Sequence, residues 1–92
     1  MDKSKSIITV VGKDQVGIIA RVTTYLYERN VNIEDISQSI VGGYFNMMMI
    51  VDTSEANREF LALSQELEEL GKTIGVLIKL QREDIFKSMQ RI

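Results

Sequence analysis

The chain has 92 residues, 45% of them apolar and 26% charged, a net charge of −2, and neither cysteine nor histidine. A chain of this length forms one core and buries only roughly 60–65% of its unfolded surface, so association with further copies is expected. The composition excludes a disulfide framework, a thiol nucleophile and a thiolate metal site, removes the commonest metal ligand and general base, and argues against a general attraction to nucleic acid.

Residues 1–6 (MDKSKS) lead straight into a strand and lack the long apolar stretch of a signal peptide, so a cytoplasmic protein is expected. No apolar run approaches the roughly 20 residues of a membrane span, and no membrane partner is expected. Ser6 to Val11 is short, β-branched and bounded by Gly12, which predicts a strand. Asp14 is placed to cap the next helix, because its carboxylate can accept an N–H two or three residues on. Ile18, Ile19, Val22, Tyr25 and Leu26 follow helical spacing. Asn30 suits the left-handed position just past that helix. Val31 to Ile40 predicts a second strand. Ile33 and Ile36 break its alternation, which calls for a bulge near Glu34-Asp35.

Val41-Gly42-Gly43 is a hairpin signal. Tyr44 to Val51 then reads as a third strand, apolar on both faces and therefore central in its sheet. Thr53 or Ser54 is the expected start of the second helix, with Glu55 in its first turn. Phe60, Leu63, Leu67 and Leu70 form its buried stripe, and Gly71 is the expected stop. Ile74, Val76, Ile78 and Leu80 alternate as a fourth strand. Asp84 to Ile92 reads as a short amphipathic helix with Ile85, Phe86, Met89 and Ile92 on one side.

The order β-α-β-β-α-β predicts an α+β, ferredoxin-like fold. Two right-handed crossovers put both helices on one face of a four-stranded antiparallel sheet, and the short C-terminal helix follows. The domain is expected over 5–82 and the C-terminal amphipathic helix over 83–92. The opposite sheet face carries Tyr44, Met48, Ile50 and Leu77, which need a cover from the last helix or from another subunit.

Little in the sequence suggests catalysis. The turn from Gly12 to Gly17 (GKDQVG) lacks the lysine and hydroxyl of a phosphate-binding P-loop, since Ile18-Ile19 follow Gly17. The methionine run reads as core filling, and consecutive strand residues point to opposite faces rather than converging on a metal. Glu66, Glu68 and Glu69 read as a solvated helix face. No catalytic residue, metal ligand or cofactor is expected. What the turn does offer is free backbone N–H groups at a helix start, with Gly17 permitting close approach.

Three stretches carry a family resemblance: ITVVGKDQVGIIA, then NVNIEDISQ, then YFNMMMIVD. Together they resemble the ACT domain over Lys5 to Arg82. More narrowly, they are similar to small stand-alone ACT-domain proteins and to the ACT halves of the glycine-cleavage-system transcriptional repressor. The resemblance implies a regulatory, non-enzymatic module that pairs with itself and binds a small molecule, commonly an amino acid, at the subunit interface. Its ligand-contact glycine falls on Gly17, flanked by Val16 and Ile18, and its acidic position falls on Asp14. The polar position opening the second strand falls on Asn32, with Asn30 nearby. No attached enzyme or DNA-binding domain is expected, so the expected partners are the ligand, further copies of itself, and a regulated protein that the sequence does not identify.

Alternatives of the same topology are a ligand-free protein–protein module, an acylphosphatase-like enzyme and an RNA-binding module. Against the enzyme, Gly17 and Arg21 are each displaced by one residue from the acylphosphatase pattern. That displacement turns the arginine by roughly 100° on a helix. Against RNA, the third strand carries methionines where stacking aromatics are needed.

Overall fold

The computed structural model describes residues 5–90, with side chains to residue 86. The elements run β1 (Lys5–Lys13), α1 (Ile18–Glu28), β2 (Asn32–Val41), β3 (Tyr44–Asp52), α2 (Phe60–Ile74), β4 (Val76–Arg82) and α3 (Glu83–Gln90). The four strands form one antiparallel sheet in the order β2-β3-β1-β4. β3 is an internal strand, as its two apolar faces require.

One face of the sheet carries the core. Ile8 and Val10 of β1, Phe45, Met47, Met49 and Val51 of β3, and Val76, Ile78 and Leu80 of β4 pack beneath both long helices. Helix α1 contributes Ile18, Val22, Tyr25 and Leu26, and α2 contributes Leu63 and Leu67. The spacing of these residues puts one apolar stripe per helix against the sheet. Met47 and Met49 are buried and fill the core as expected, whereas Met48 between them points to the other sheet face and is 42% exposed.

The expected bulge is present: the β2–β3 register shifts between Ile33 and Asp35. Gly42 and Gly43 both take positive φ, at 59° and 84°, as a two-residue hairpin requires. Asn30 takes the left-handed conformation at φ 59° and leads α1 into β2.

Three expected boundaries are corrected. Helix α2 begins at Phe60, not at Thr53 or Ser54. The chain before it makes turns instead: Asp52 Oδ1 accepts the Ser54 N–H at 2.8 Å, and the Thr53 carbonyl accepts the Ala56 N–H at 3.1 Å. Asn57 is spent on the end of α1, donating from its backbone to the Arg29 carbonyl and from Nδ2 to the Glu28 carbonyl. The second correction concerns the stop of α2. It runs through Gly71 to Ile74 and is closed by left-handed Gly75, whose N–H reaches the Gly71 carbonyl at 2.7 Å. Ile74 is therefore helical rather than the first residue of β4. Third, α1 is not capped by Asp14. Its N-cap is Gly17, and no side chain caps it.

Helix α3 follows β4 directly and lies against β1 and β4. Ile7, on the sheet face away from the core, is buried yet stands outside the core cluster. The rest of that face stays open, with Val11, Tyr44, Met48 and Leu77 exposed. Ile85 is itself half exposed, Ile92 lies outside the described residues, and Met89 lies beyond the described side chains.

Candidate functional site

The β1–α1 turn is held from two sides. The Asp14 N–H donates to the Gly43 carbonyl at 2.9 Å, tying the turn to the β2–β3 hairpin. The Gln15 amide Nε2 donates to the Ile74 carbonyl at 2.9 Å, tying it to the last turn of α2. Gln15 therefore satisfies a helix-end carbonyl that would otherwise lack an intrahelical partner. The sequence did not single out Gln15 for this, because its partner lies 59 residues away.

Those ties leave the tip of the turn open. Val16 is fully exposed. Gly17 sits at φ 92°, and a Cβ placed on it would meet nothing within 4 Å. The Arg21 N–H reaches the Gly17 carbonyl, closing the first turn of α1. That first turn carries neither a side-chain cap nor an acidic residue. It thus presents uncapped N–H groups and the partial positive charge of a helix start to the opening. Among the described residues, the Asp14 carboxylate forms no hydrogen bond or ion pair, so it stands beside this opening unspent. Ile18 is 2% exposed and its side chain belongs to the core, so only its backbone can face a ligand.

The two asparagines stand elsewhere. Asn30 lies past the far end of α1, and its Nδ2 donates to the Glu55 carbonyl at 2.9 Å. Asn32 opens β2 opposite Asp52 and is exposed. Eleven residues of α1 separate Gly17 from this end, a distance of about 16 Å at 1.5 Å per residue. One protomer therefore brings together Asp14, Val16, Gly17 and the backbone of Ile18, and leaves Asn30 and Asn32 at the opposite end of the sheet.

A second concavity lies on the open sheet face. It is a shallow depression of about 260 Å³ lined by Thr9, Val11, Ser37, Ser39, Asn46 and Met48, among others. The serines at alternate positions of β2 were its signal in the sequence. Among the described residues, no group of three or more acidic side chains is placed to hold a metal ion. Among the described residues, no helix is long and apolar enough to cross a membrane.

Between the helices, the Tyr25 hydroxyl donates to Glu66 Oε1 at 2.7 Å. The Arg29 guanidinium stacks over the Tyr25 ring at 4.6 Å and also reaches Glu66. Arg58 approaches the other Glu66 oxygen at 3.2 Å. Burial, reinforced by the Glu66 carboxylate, pushes the Tyr25 phenol well above its ordinary value. The Tyr25 hydrogen bond, joined by the two arginines, holds Glu66 below the usual carboxylate range. This network clasps α1 to α2 and is structural.

Comparison with known proteins agrees with this fold. The family model of the ACT domain matches residues 5–81. A UPF0237 protein of Bifidobacterium longum is 62% identical over 89 residues, covering 97% of this chain and 99% of its own. The structure of an ACT domain protein from Streptococcus pneumoniae superposes with a TM-score of 0.79 at 45% identity, over 89% of this chain and 92% of that one. A protein described as a glycine cleavage system transcriptional repressor superposes with a TM-score of 0.75 at 26% identity, over 85% of this chain and 44% of that one. The sheet order thus sits in a known setting, and this chain belongs to the ACT domain family.

Proposed function

We propose that this protein is a cytoplasmic regulatory module that binds a small zwitterion, an amino acid or a related metabolite, beside the Asp14–Gly17 turn at a subunit interface. The observation that carries the reading is the pairing of opposite charges at one opening. The uncapped start of α1 suits a carboxylate, and the unspent Asp14 carboxylate suits an ammonium. Gly17 adds no side chain to obstruct either group. Membership of the ACT family supports a ligand-binding regulatory role. On this reading the protein binds rather than catalyses: the opening offers a lone Asp14 carboxylate, and the chain has no histidine or cysteine to work with it.

A thermal-shift screen against the twenty amino acids, purines and folates tests the reading. A ligand held at 100 times its dissociation constant adds about 2.7 kcal/mol, readily visible in a domain of this size. A shift confined to purines or folates would replace the amino acid with another ligand class. No shift with any of them would sink the reading.

A further inference from the structure

We propose that the open sheet face binds a purine mononucleotide, an adenine one in particular, with its base over Met48 and Asn46 and its phosphate at Lys79. This site is separate from the Asp14–Gly17 turn and does not rest on the binding reading given to that turn.

Two rungs of the sheet build the floor of the site. Ser39, Asn46 and Val11 lie side by side on β2, β3 and β1. Ser37, Met48 and Thr9 form the next rung that faces the same way. All six line the depression of about 260 Å³. Strand spacing and residue rise give this grid about 10 Å across the strands and about 7 Å along them. That is room for one flat bicyclic ring. The floor is low because the serines, Thr9 and Val11 are short side chains. Tyr44, two residues before Asn46 on β3 and 60% exposed, stands at one end.

The polar groups of the floor are unspent. Among the described residues, the side chains of Thr9, Ser37, Ser39 and Asn46 form no hydrogen bond, and Thr9 and Asn46 are half-buried. No charged side chain lines the depression. Neutral donors and acceptors around an apolar centre suit a ligand that is neutral, polar at its rim and apolar on its faces. A nucleobase has that form. The Met48 thioether, 42% exposed, offers its ring face a favourable sulfur–aromatic contact. The Asn46 amide donates and accepts side by side, which matches the neighbouring amino group and ring nitrogen of adenine.

The phosphate follows from Lys79. It lies opposite Thr9 in the β1–β4 ladder, so the two side chains share the open face. Lys79 is exposed, and among the described residues it forms no ion pair. Two strand spacings and one rung separate it from Asn46, about 12 Å between Cα atoms. A base with its ribose spans that distance and leaves the phosphate at the ammonium. The acid nearest on β2 is Asp35, three strand spacings from Lys79, about 14 Å, and its Oδ1 already accepts the Ile36 N–H at 2.8 Å. It therefore does not repel the phosphate. One lysine beside the depression suits one phosphate, not the many of a nucleic-acid strand.

Amide chemical shifts of the isotope-labelled protein, followed as adenosine monophosphate is added to millimolar concentration, test the site. Shifts are expected at Thr9, Ser37, Ser39, Asn46 and Met48, and none at Asp14–Gly17. Asn46→Leu is expected to weaken the nucleotide about tenfold. Lys79→Gln, at an exposed position, is expected to weaken it about tenfold as well and to leave the affinity for adenosine unchanged. Urea unfolding of both variants checks that each is folded, and the comparison of nucleotide with nucleoside on Lys79→Gln stands even if Asn46→Leu is not. No shifts, or shifts confined to the turn, would overturn the site. Ribose phosphate bound as tightly as the nucleotide would leave the base without a role and overturn it too. So would an amino acid that moves the same amides where the nucleotide does not. A short oligoadenylate that binds many times more tightly, with shifts spreading to Tyr44 and Leu77, would replace the mononucleotide with a nucleic-acid strand.

Discussion

Gly71 and Val76 pack backbone to backbone: a Cβ on Gly71 would stand 2.6 Å from the Val76 carbonyl oxygen. Gly12 approaches the same residue from the sheet, where a Cβ would come within 2.7 Å of Val76 Cγ1. These approaches seat the last turns of α2 on β4, and Gln15 then bonds the carbonyl at the end of that helix. Gly71→Ala is therefore expected to destabilise the fold by about 2–3 kcal/mol, since a backbone oxygen cannot step aside. Gly12→Ala is expected to cost somewhat less: Val76 Cγ1 can rotate away, although the Val76 Cα and Cβ at 3.0 Å must still give by a few tenths of an ångström. Urea unfolding of both variants checks the order. Equal stability of Gly71→Ala and wild type would show that α2 and β4 separate easily.

Tyr25 and Glu66 predict how stability varies with pH. The native Glu66 carboxyl is held below its ordinary value, first by the Tyr25 hydroxyl and then by the arginines. Its contribution is present above the unfolded carboxylate pKa, roughly 4.3, and is lost as pH falls through the lower native value. The Tyr25 phenol is raised, first by burial. Its contribution is present below the unfolded phenol pKa near 10 and is lost as pH rises through the higher native value. Tyr25→Phe is expected to raise the Glu66 pKa toward the ordinary carboxylate value and to flatten both pH dependences. Carboxyl chemical shifts followed through an acid titration measure the first effect. An unmoved Glu66 titration would assign its shift to Arg29 and Arg58 alone.

Ser6 is completely buried, and among the described residues its Oγ has no hydrogen-bond partner. It lies on β1 between Val51 and Arg82 in the two neighbouring strands. A buried hydroxyl without a partner forfeits its hydration for nothing, at roughly 1–3 kcal/mol. Ser6→Ala is expected to stabilise the protein by about 1 kcal/mol in the same urea assay. A loss of similar size would reveal a partner for the hydroxyl in solution.

The elements and their order were legible in the sequence because burial is periodic. Val22, Tyr25 and Leu26 mark one helix face, and Phe45, Met47, Met49 and Val51 mark one strand face. Local breaks were legible too: Ile33 and Ile36 announced the bulge, and Gly42-Gly43 announced the hairpin. The misread boundaries depend on contacts distant in sequence. Asn57 bonds the end of α1, which keeps residues 53–59 out of helix. Gly71 resembles a helix stop but is glycine because β4 lies against it. The site was half legible for the same reason. The Asp14–Gly17 turn is a local motif, whereas the distance to Asn32 is set by the length of α1 and the direction of β2.

The last expectation concerns the turn itself. Gly17 has a structural reason to be glycine, since φ 92° is costly for a residue with a Cβ. Alanine there would mix backbone strain with any loss of binding. Asparagine tolerates the left-handed region better and still projects a side chain into the opening. Gly17→Asn is therefore expected to fold and to bind an amino acid far more weakly. Asp14→Asn removes a carboxylate that has no partner among the described residues, so stability should move by less than about 0.5 kcal/mol. The same change should weaken binding by roughly 1.5–3 kcal/mol if that carboxylate holds the ammonium. Asn32→Ala should weaken binding by about 1 kcal/mol for a neutral polar contact made from a neighbouring subunit, since its own protomer holds Asn32 at the far end of the sheet. Calorimetry on the three variants, alongside urea unfolding of each, separates binding from stability. An amino acid that binds all three variants as tightly as wild type would place the site elsewhere, and the serine-lined depression around Thr9 and Asn46 would be the next location to probe.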